Sequence, residues 1–151
     1  MPAYRERLWP TPWMFIVSLL LIPASILVLA PVSLPAGIVT GIVLYLGTVA
    51  AFVAASPVVE VADGELRAGR ASIPVSLTGE AEAFEGAEAT AERGVRLDAR
   101  AWLLIRGWVR HVVKVPIVDE RDPAPYWLVS SRHPTQMAAA INGSRRPSES
   151  A

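Results

Sequence analysis

The histidines, serines and acidic residues are where catalysis would be sought, and their spacing supports little of it. His111 and His133 are 22 residues apart on different expected elements. A metal site draws several His, Asp, Glu or Cys ligands into one shell at characteristic spacings, and no metal ligand set is assigned. Ser130, Ser131 and His133 are close in sequence, but a serine nucleophile needs an oriented base and an oxyanion hole, and no Gly-x-Ser-x-Gly turn occurs. The two serines read instead as a strand end and a helix cap. Glu80, Glu82, Glu85, Glu88 and Glu92 could supply paired carboxylates for acid and base work, although an acidic run without an apolar pocket is more often a solvated face. There is no phosphate loop and no dinucleotide fingerprint, so no cofactor is expected.

A second set of residues has the chemistry of binding. Between Arg93 and Lys114 stand six basic residues and one acid, Asp98, interleaved with Trp102 and Trp108. Arginine and tryptophan dominate binding hot spots. Core packing is the commoner role of a tryptophan in a small β domain, and is expected for Trp102 and Trp127. Trp108, between Arg106 and Arg110, is the surface member. Arg106, Trp108, Arg110 and Lys114 are therefore the expected contacts for a protein partner or for anionic lipid headgroups.

What positions these residues is set by the stretch from Leu8 to Val59, 52 residues without Asp, Glu, Lys, Arg, His, Asn or Gln. Crossing about 30 Å of hydrocarbon takes about 20 apolar residues in a helix. The stretch therefore reads as two transmembrane helices, 13–30 and 36–56, joined by the turn Pro31-Val32-Ser33-Leu34-Pro35. Pro23 predicts a kink in the first. Small residues in the second, Gly37, Gly41, Thr48, Ala51 and Ala55, form a stripe at helical spacing that lets two backbones approach closely; packing of the first span there is favoured over a homodimer seam. Residues 1–12 form a polar lead-in, and cleavage as a signal peptide is disfavoured because no small-x-small site follows and a second span comes at once. Arg5 and Arg7 precede the spans, Arg67 and Arg70 follow them, and the loop between carries no charge. Both termini are thus expected in the cytoplasm, with the protein in the inner membrane.

Residues 57–142 are expected to form one cytoplasmic β-rich domain able to fold without the anchor. Val58 to Ala68 reads as two strands about Asp63-Gly64, a strong hairpin signal. Ala71 to Leu77 suggests an edge strand, limited by Pro74, and Glu80 to Phe84 another. Gly86 to Arg93 favours helix. Asp98 to Ile105 reads as a weakly alternating apolar segment. Trp108 to Val118 alternates as one strand, with Trp108, Arg110, Val112, Lys114 and Pro116 on a single face. Tyr126 to Ser130 is an aromatic strand, and Pro134 opens a C-terminal amphipathic helix ended by Asn142-Gly143. Residues 143–151 read as a disordered tail. The fold class is thus a two-helix membrane hairpin followed by a small α+β domain, with an element order like that of a pleckstrin-homology barrel.

The totals bound the partners. Fourteen Lys and Arg balance 14 Asp and Glu, which leaves no basic footprint for nucleic acid. There is no cysteine, so disulfides, iron–sulfur clusters and thiolate zinc sites are excluded. The opening Tyr4-Arg5-Glu6-Arg7-Leu8, the paired spans, and the run Asp122-Pro123-Ala124-Pro125-Tyr126-Trp127-Leu128-Val129-Ser130-Ser131-Arg132-His133-Pro134 resemble an actinobacterial family of two-span membrane proteins known only as a domain of unknown function. That resemblance implies a location and a lineage but no activity. The reading reached is a membrane-anchored, non-enzymatic binding or scaffold module. Its alternative is an enzyme on membrane-associated substrates, using the acidic run Glu80 to Glu92 and His111.

Overall fold

The computed structural model describes residues Met1–Arg145, and it divides into two compact units: Trp9–Ser56, and Met1–Leu8 together with the chain from Pro57 onward.

The first unit is an apolar helical hairpin. Helix α1 spans Pro12–Ser18, α2 Leu21–Leu29 and α3 Leu34–Ala54. The first two together make 18 residues of mean hydropathy 2.3, and α3 makes 21 of mean hydropathy 2.1. Both stretches are long and apolar enough to cross a membrane. Their outer surface is uncovered aliphatic side chain, Leu27 being 81% and Val28 74% exposed, a surface that water penalises and lipid does not. The break between α1 and α2 falls at Leu19 and Leu20, a turn before the kink expected at Pro23. Proline lacks the N–H that would bond the carbonyl four residues back, and its ring crowds that carbonyl. Here the carbonyl is that of Leu19, which instead accepts from Ile22 N at 3.1 Å, with Leu19 and Leu20 also tightened to i−3 bonds. Helix α3 starts two residues earlier than expected, because the Ser33 hydroxyl caps Ala36 N at 3.3 Å and Pro35 sits in the first turn.

Gly37 and Gly41 are where α3 meets α2. A Cβ on Gly37 would lie 2.9 Å from the Ile26 Cα, and one on Gly41 2.8 Å from the Ile22 Cα, so only glycine permits this approach. The rest of the stripe does not share that contact. Ala51 and Ala55 are exposed, and Thr48 turns its hydroxyl to Leu44 O at 2.8 Å. Phe15 meets Phe52 edge to face at 5.7 Å.

The second unit begins before the hairpin. Residues Tyr4–Arg7, expected as part of a polar lead-in, form strand β1 and pair antiparallel with β2, Val58–Ala62, in the register Tyr4↔Val61 to Arg7↔Val58. Strand β3 is Glu65–Ala68 and β4 Ala71–Pro74, completing a four-stranded meander in the order β1-β2-β3-β4. The β2–β3 turn uses Asp63 and Gly64, both at positive φ, 51° and 75°, as a two-residue hairpin with right-handed strand twist requires. Pro74 ends β4, on the sheet edge, and the chain passes into a 3-10 turn at Val75–Leu77. Side chains alternate strictly: Tyr4, Glu6, Val59, Val61, Leu66 and Ala68 point inward, while Arg5, Glu60 and Arg67 lie side by side on the outer face.

The second sheet has the order β5-β7-β8-β6, from β5 (Glu82–Phe84), β6 (Trp102–Leu104), β7 (Val112–Pro116) and β8 (Tyr126–Ser130), with β6 parallel to β8. Between the sheets lies one core, containing Leu8, Val59, Val61, Leu66, Val113, Val115, Trp127 and Val129, and closed by Met137, Ala138 and Ile141 of the last helix, α5 (Pro134–Arg145). Trp102 and Trp127 stack with centroids 4.3 Å apart, in the core role expected of them. Helix α4, Gly86–Arg93, covers the other face of the second sheet over Val112, Tyr126 and Leu128.

Two further segments, at β7 and at α5, differ from expectation. Strand β7 begins only at Val112, because the chain from Arg106 to Val109 is a turn (Val109 N to Arg106 O, 2.9 Å) whose first amide donates to Ser130 Oγ at 3.0 Å. Helix α5 runs Pro134–Arg145, past Asn142-Gly143. The Asn142 amide is not a stop signal: it accepts from Ala81 N at 2.8 Å and donates to Ala81 O at 3.0 Å, pairing like a peptide with the lead-in to β5. The expected disordered tail thus begins as helix, and its last six residues lie outside the described ones.

Candidate functional site

The four expected contact residues do not form one basic face. Lys114 leaves the set. Its Nζ is 3.0 Å from Glu92 Oε2 and 4.5 Å from the centre of the Tyr126 ring. Glu92, whose side chain is 5% exposed, also holds Arg96 at 3.3 Å. Glu88 and then Glu92 hydrogen-bond the Arg96 guanidinium and hold it further in its charged form. Alternation correctly separated Lys114 from the inner core, but the other face of β7 is roofed by α4, so the lysine serves a buried ion pair. Trp108 is half-buried against the core and donates its indole N–H to Leu8 O at 3.1 Å, which anchors the turn after β6. Arg106 also donates from Nη1 to Ile105 O at 3.0 Å. Arg110 is exposed.

The acidic run and the histidine of the enzymatic reading are likewise separated. Glu82 pairs with Lys114 across β5 and β7, whereas His111 has the parity of Val113 and Val115 and so belongs to the opposite face of that sheet. Glu80, Glu82, Glu85 and Glu88 are exposed and only Glu92 is buried. His133 is exposed, and among the described residues no group of three or more His, Asp or Glu could hold a metal ion.

The polar cluster that the fold does assemble centres on Glu6, in β1. Its side chain is 9% exposed. It accepts from the Tyr4 hydroxyl at 2.5 Å, from Ser131 Oγ at 2.9 Å, and from the Arg132 backbone N–H at 3.0 and 3.2 Å to its two oxygens. The Arg132 guanidinium stands 3.9 Å away. Ser131 Oγ is also 2.9 Å from Tyr4 Oη and accepts from His133 N at 3.0 Å, while Ser131 N donates to His111 O at 3.1 Å. Burial, and then donation to Glu6, raise the Tyr4 phenol above its ordinary range. A buried carboxylate with this many charge-assisted donors is a strong, directional clamp. It ties the strand before the hairpin to the junction of β8 and α5.

Sequence reasoning passed over Tyr4 and Glu6 as site residues. A signal was nevertheless present, because both belong to the first of the two segments that carry the family resemblance, and Ser131 and Arg132 belong to the second. The sequence model of a family described as a protein of unknown function, DUF3093, matches residues 3–141. The chain belongs to this family. No curated protein and no solved structure matches. The DUF3093 match starts at the residue before β1 and ends inside α5, so it takes in both sides of the Glu6 clamp as well as the whole hairpin.

Proposed function

We propose that this protein is a two-span inner-membrane protein whose hairpin anchors a single cytoplasmic, non-enzymatic binding module. The observation that carries the reading is the β1–β2 ladder. One strand precedes the hairpin and the other follows it, and paired strands must lie on the same side of a membrane. An inserted hairpin therefore crosses an even number of times, in agreement with the arginines that flank the spans and the uncharged loop between them. The four-stranded meander, second sheet and closing helix support a pleckstrin-like reading of the domain's architecture, from which the parallel pairing of β6 with β8 departs.

The non-enzymatic character is supported by what the clusters do. The Glu6 and Glu92 carboxylates are consumed by structural partners, and the acidic run and His111 lie on different faces. The test of the topology uses the absence of cysteine. Val32→Cys, in the loop between the spans, should react with an impermeant maleimide added to intact cells, and Ser72→Cys, on the exposed face of β4, only after lysis. Reaction of Ser72→Cys in intact cells refutes the arrangement.

A further inference from the structure

The chain leaves the β domain toward the hairpin at Leu8 and returns at Pro57, and these two residues are bonded to each other, Leu8 N to Pro57 O at 2.9 Å. Both connections therefore issue from one point, with Trp9 and Ser56 the next residues along the chain. The segments around that point can be traced by contact. Arg7 pairs with Val58, Val58 O accepts from Gly69 N at 2.8 Å, and Gly69, at φ 62°, makes the β3–β4 turn with Arg70. A Cβ on Gly69 would lie 3.6 Å from Leu104, the last residue of β6, and the indole of Trp108 reaches Leu8 O. These segments, 7–8, 57–58, 69–70 and 104–110, contain four arginines, Arg7, Arg70, Arg106 and Arg110, and no acidic residue. Glu85, which follows β5, belongs to the opposite edge of the second sheet from β6.

The other ends of the same strands carry the reverse charge. The β2–β3 turn holds Asp63, and the loop between β7 and β8 holds Asp119, Glu120 and Asp122 against Arg121. A chain of zero net charge is thus polarised along its strands.

We infer that the arginines around Leu8 and Pro57 form a collar that binds anionic phospholipid headgroups at the cytoplasmic surface. The inference rests on the anchored topology proposed above and names the partner of that module's basic end. Only residues 9–11 and 55–56 separate the β unit from the helices, so an inserted anchor tethers the collar close to the membrane surface, where charge acts over roughly 8 to 10 Å at physiological salt. Guanidinium groups suit phosphate because they present a planar fork of donors. The set differs from that read off the sequence: Lys114 is spent on Glu92, whereas Arg7 and Arg70 come from elements far away in the chain.

The test is the full chain in liposomes of phosphatidylcholine and phosphatidylglycerol, with the relative association of spin-labelled forms of the two lipids measured by electron spin resonance. Each basic residue near an anionic surface is worth about a fivefold preference, so Arg70→Gln with Arg110→Gln can lower the selectivity for phosphatidylglycerol by up to about 25-fold. A fall of about threefold or more is expected, together with loss of the wild-type selectivity at high salt. A smaller fall overturns the inference, as does an equal fall in Arg100→Gln with Arg121→Gln, which removes the same charge elsewhere. All four side chains are exposed, and an unchanged thermal melt shows that the variants are folded. Cysteine labelling on the same samples separates the two readings: correct insertion without selectivity removes the headgroup collar alone.

Discussion

Deleting β1 should unfold the β domain even though no residue after Pro57 is touched. Leu8 is fully buried in the shared core. Removing a buried leucine side chain costs about 2 to 5 kcal/mol. Loss of Glu6 would strand the Ser131 hydroxyl and the Arg132 amide, at about 1 to 3 kcal/mol for each donor left unsatisfied. The ladder from Tyr4↔Val61 to Arg7↔Val58 would go as well. Together these approach or exceed the 5 to 15 kcal/mol that typically holds a whole domain. A fragment starting at Pro57 should therefore be unfolded, contrary to what the sequence led us to expect. Residues 1–8 joined to Pro57 by a loop of about five residues should fold in water, since Leu8 and Pro57 are already hydrogen-bonded neighbours. In that soluble chain Leu8→Ala should lower the melting temperature by roughly 10 °C or more. Urea and thermal melts followed by tryptophan fluorescence measure both effects. Cooperative melting of the fragment that begins at Pro57, or a Leu8→Ala shift of only a degree or two, would refute the reasoning.

Further predictions use the same soluble chain or the intact protein. Trp127→Ala should cost about 3 to 5 kcal/mol in urea melts of the soluble chain, because the ring lies in the core against Trp102. Lys114→Met should destabilise that chain by about 1 to 3 kcal/mol by leaving Glu92 with only Arg96, and adding Glu92→Leu should restore most of the loss; a double variant worse than the single would contradict this view of the pair. In the full chain in detergent, Gly41→Leu should lower the melting temperature while Gly47→Leu should not, since a Cβ on Gly41 meets the Ile22 backbone at 2.8 Å and one on Gly47 meets nothing within 4 Å. Tyr4→Phe should narrow its stability gap from wild type as pH rises. The folded phenol keeps its proton above the ordinary value of 10.0, so its contribution is complete below about pH 10 and is lost as the unfolded chain ionises above it. A gap constant between pH 8 and 11 would show that the phenol is not perturbed.

Local chemistry was legible in the sequence and non-local pairing was not. The hairpin announces itself because lipid-compatible helices exclude charge over their entire length. Asp63-Gly64 predicts its turn because positive φ at two successive residues favours few other pairs. Helix α4 follows from Ala and Glu in residues 86–93. By contrast, Tyr4-Arg5-Glu6-Arg7 alternates correctly for a strand, yet four residues are too few to stand out, and their partner lies beyond the whole hairpin. Lys114 was placed on the correct face of β7, but that face is roofed by α4, and nothing local to the lysine indicates that Glu92 would be brought over it. The Asn142 amide has the composition of a helix stop and the geometry of a β-pairing group, and only the position of Ala81 separates the two.

The placement of β1 also bears on the order of assembly. Strands β1 and β2 are adjacent in the sheet but separated in synthesis by the whole of 9–56, so the first strand must wait, unpaired, until both spans and at least β2 have been made. Alone, Tyr4–Arg7 has no ladder partner, and Glu6 carries a charge that is readily solvated; the segment is soluble while it waits. Pairing then buries Leu8, draws Glu6 onto Ser131 and Arg132, and brings the two ends of the hairpin to hydrogen-bonding distance at Leu8 and Pro57. A hairpin with only one span inserted would leave β1 and β2 on opposite sides, with the Glu6 clamp unmade and the core open where Leu8 should sit. On the topology proposed above, the β domain can close once both helices have crossed and cannot close when only one has, because β1 and β2 must meet on one side.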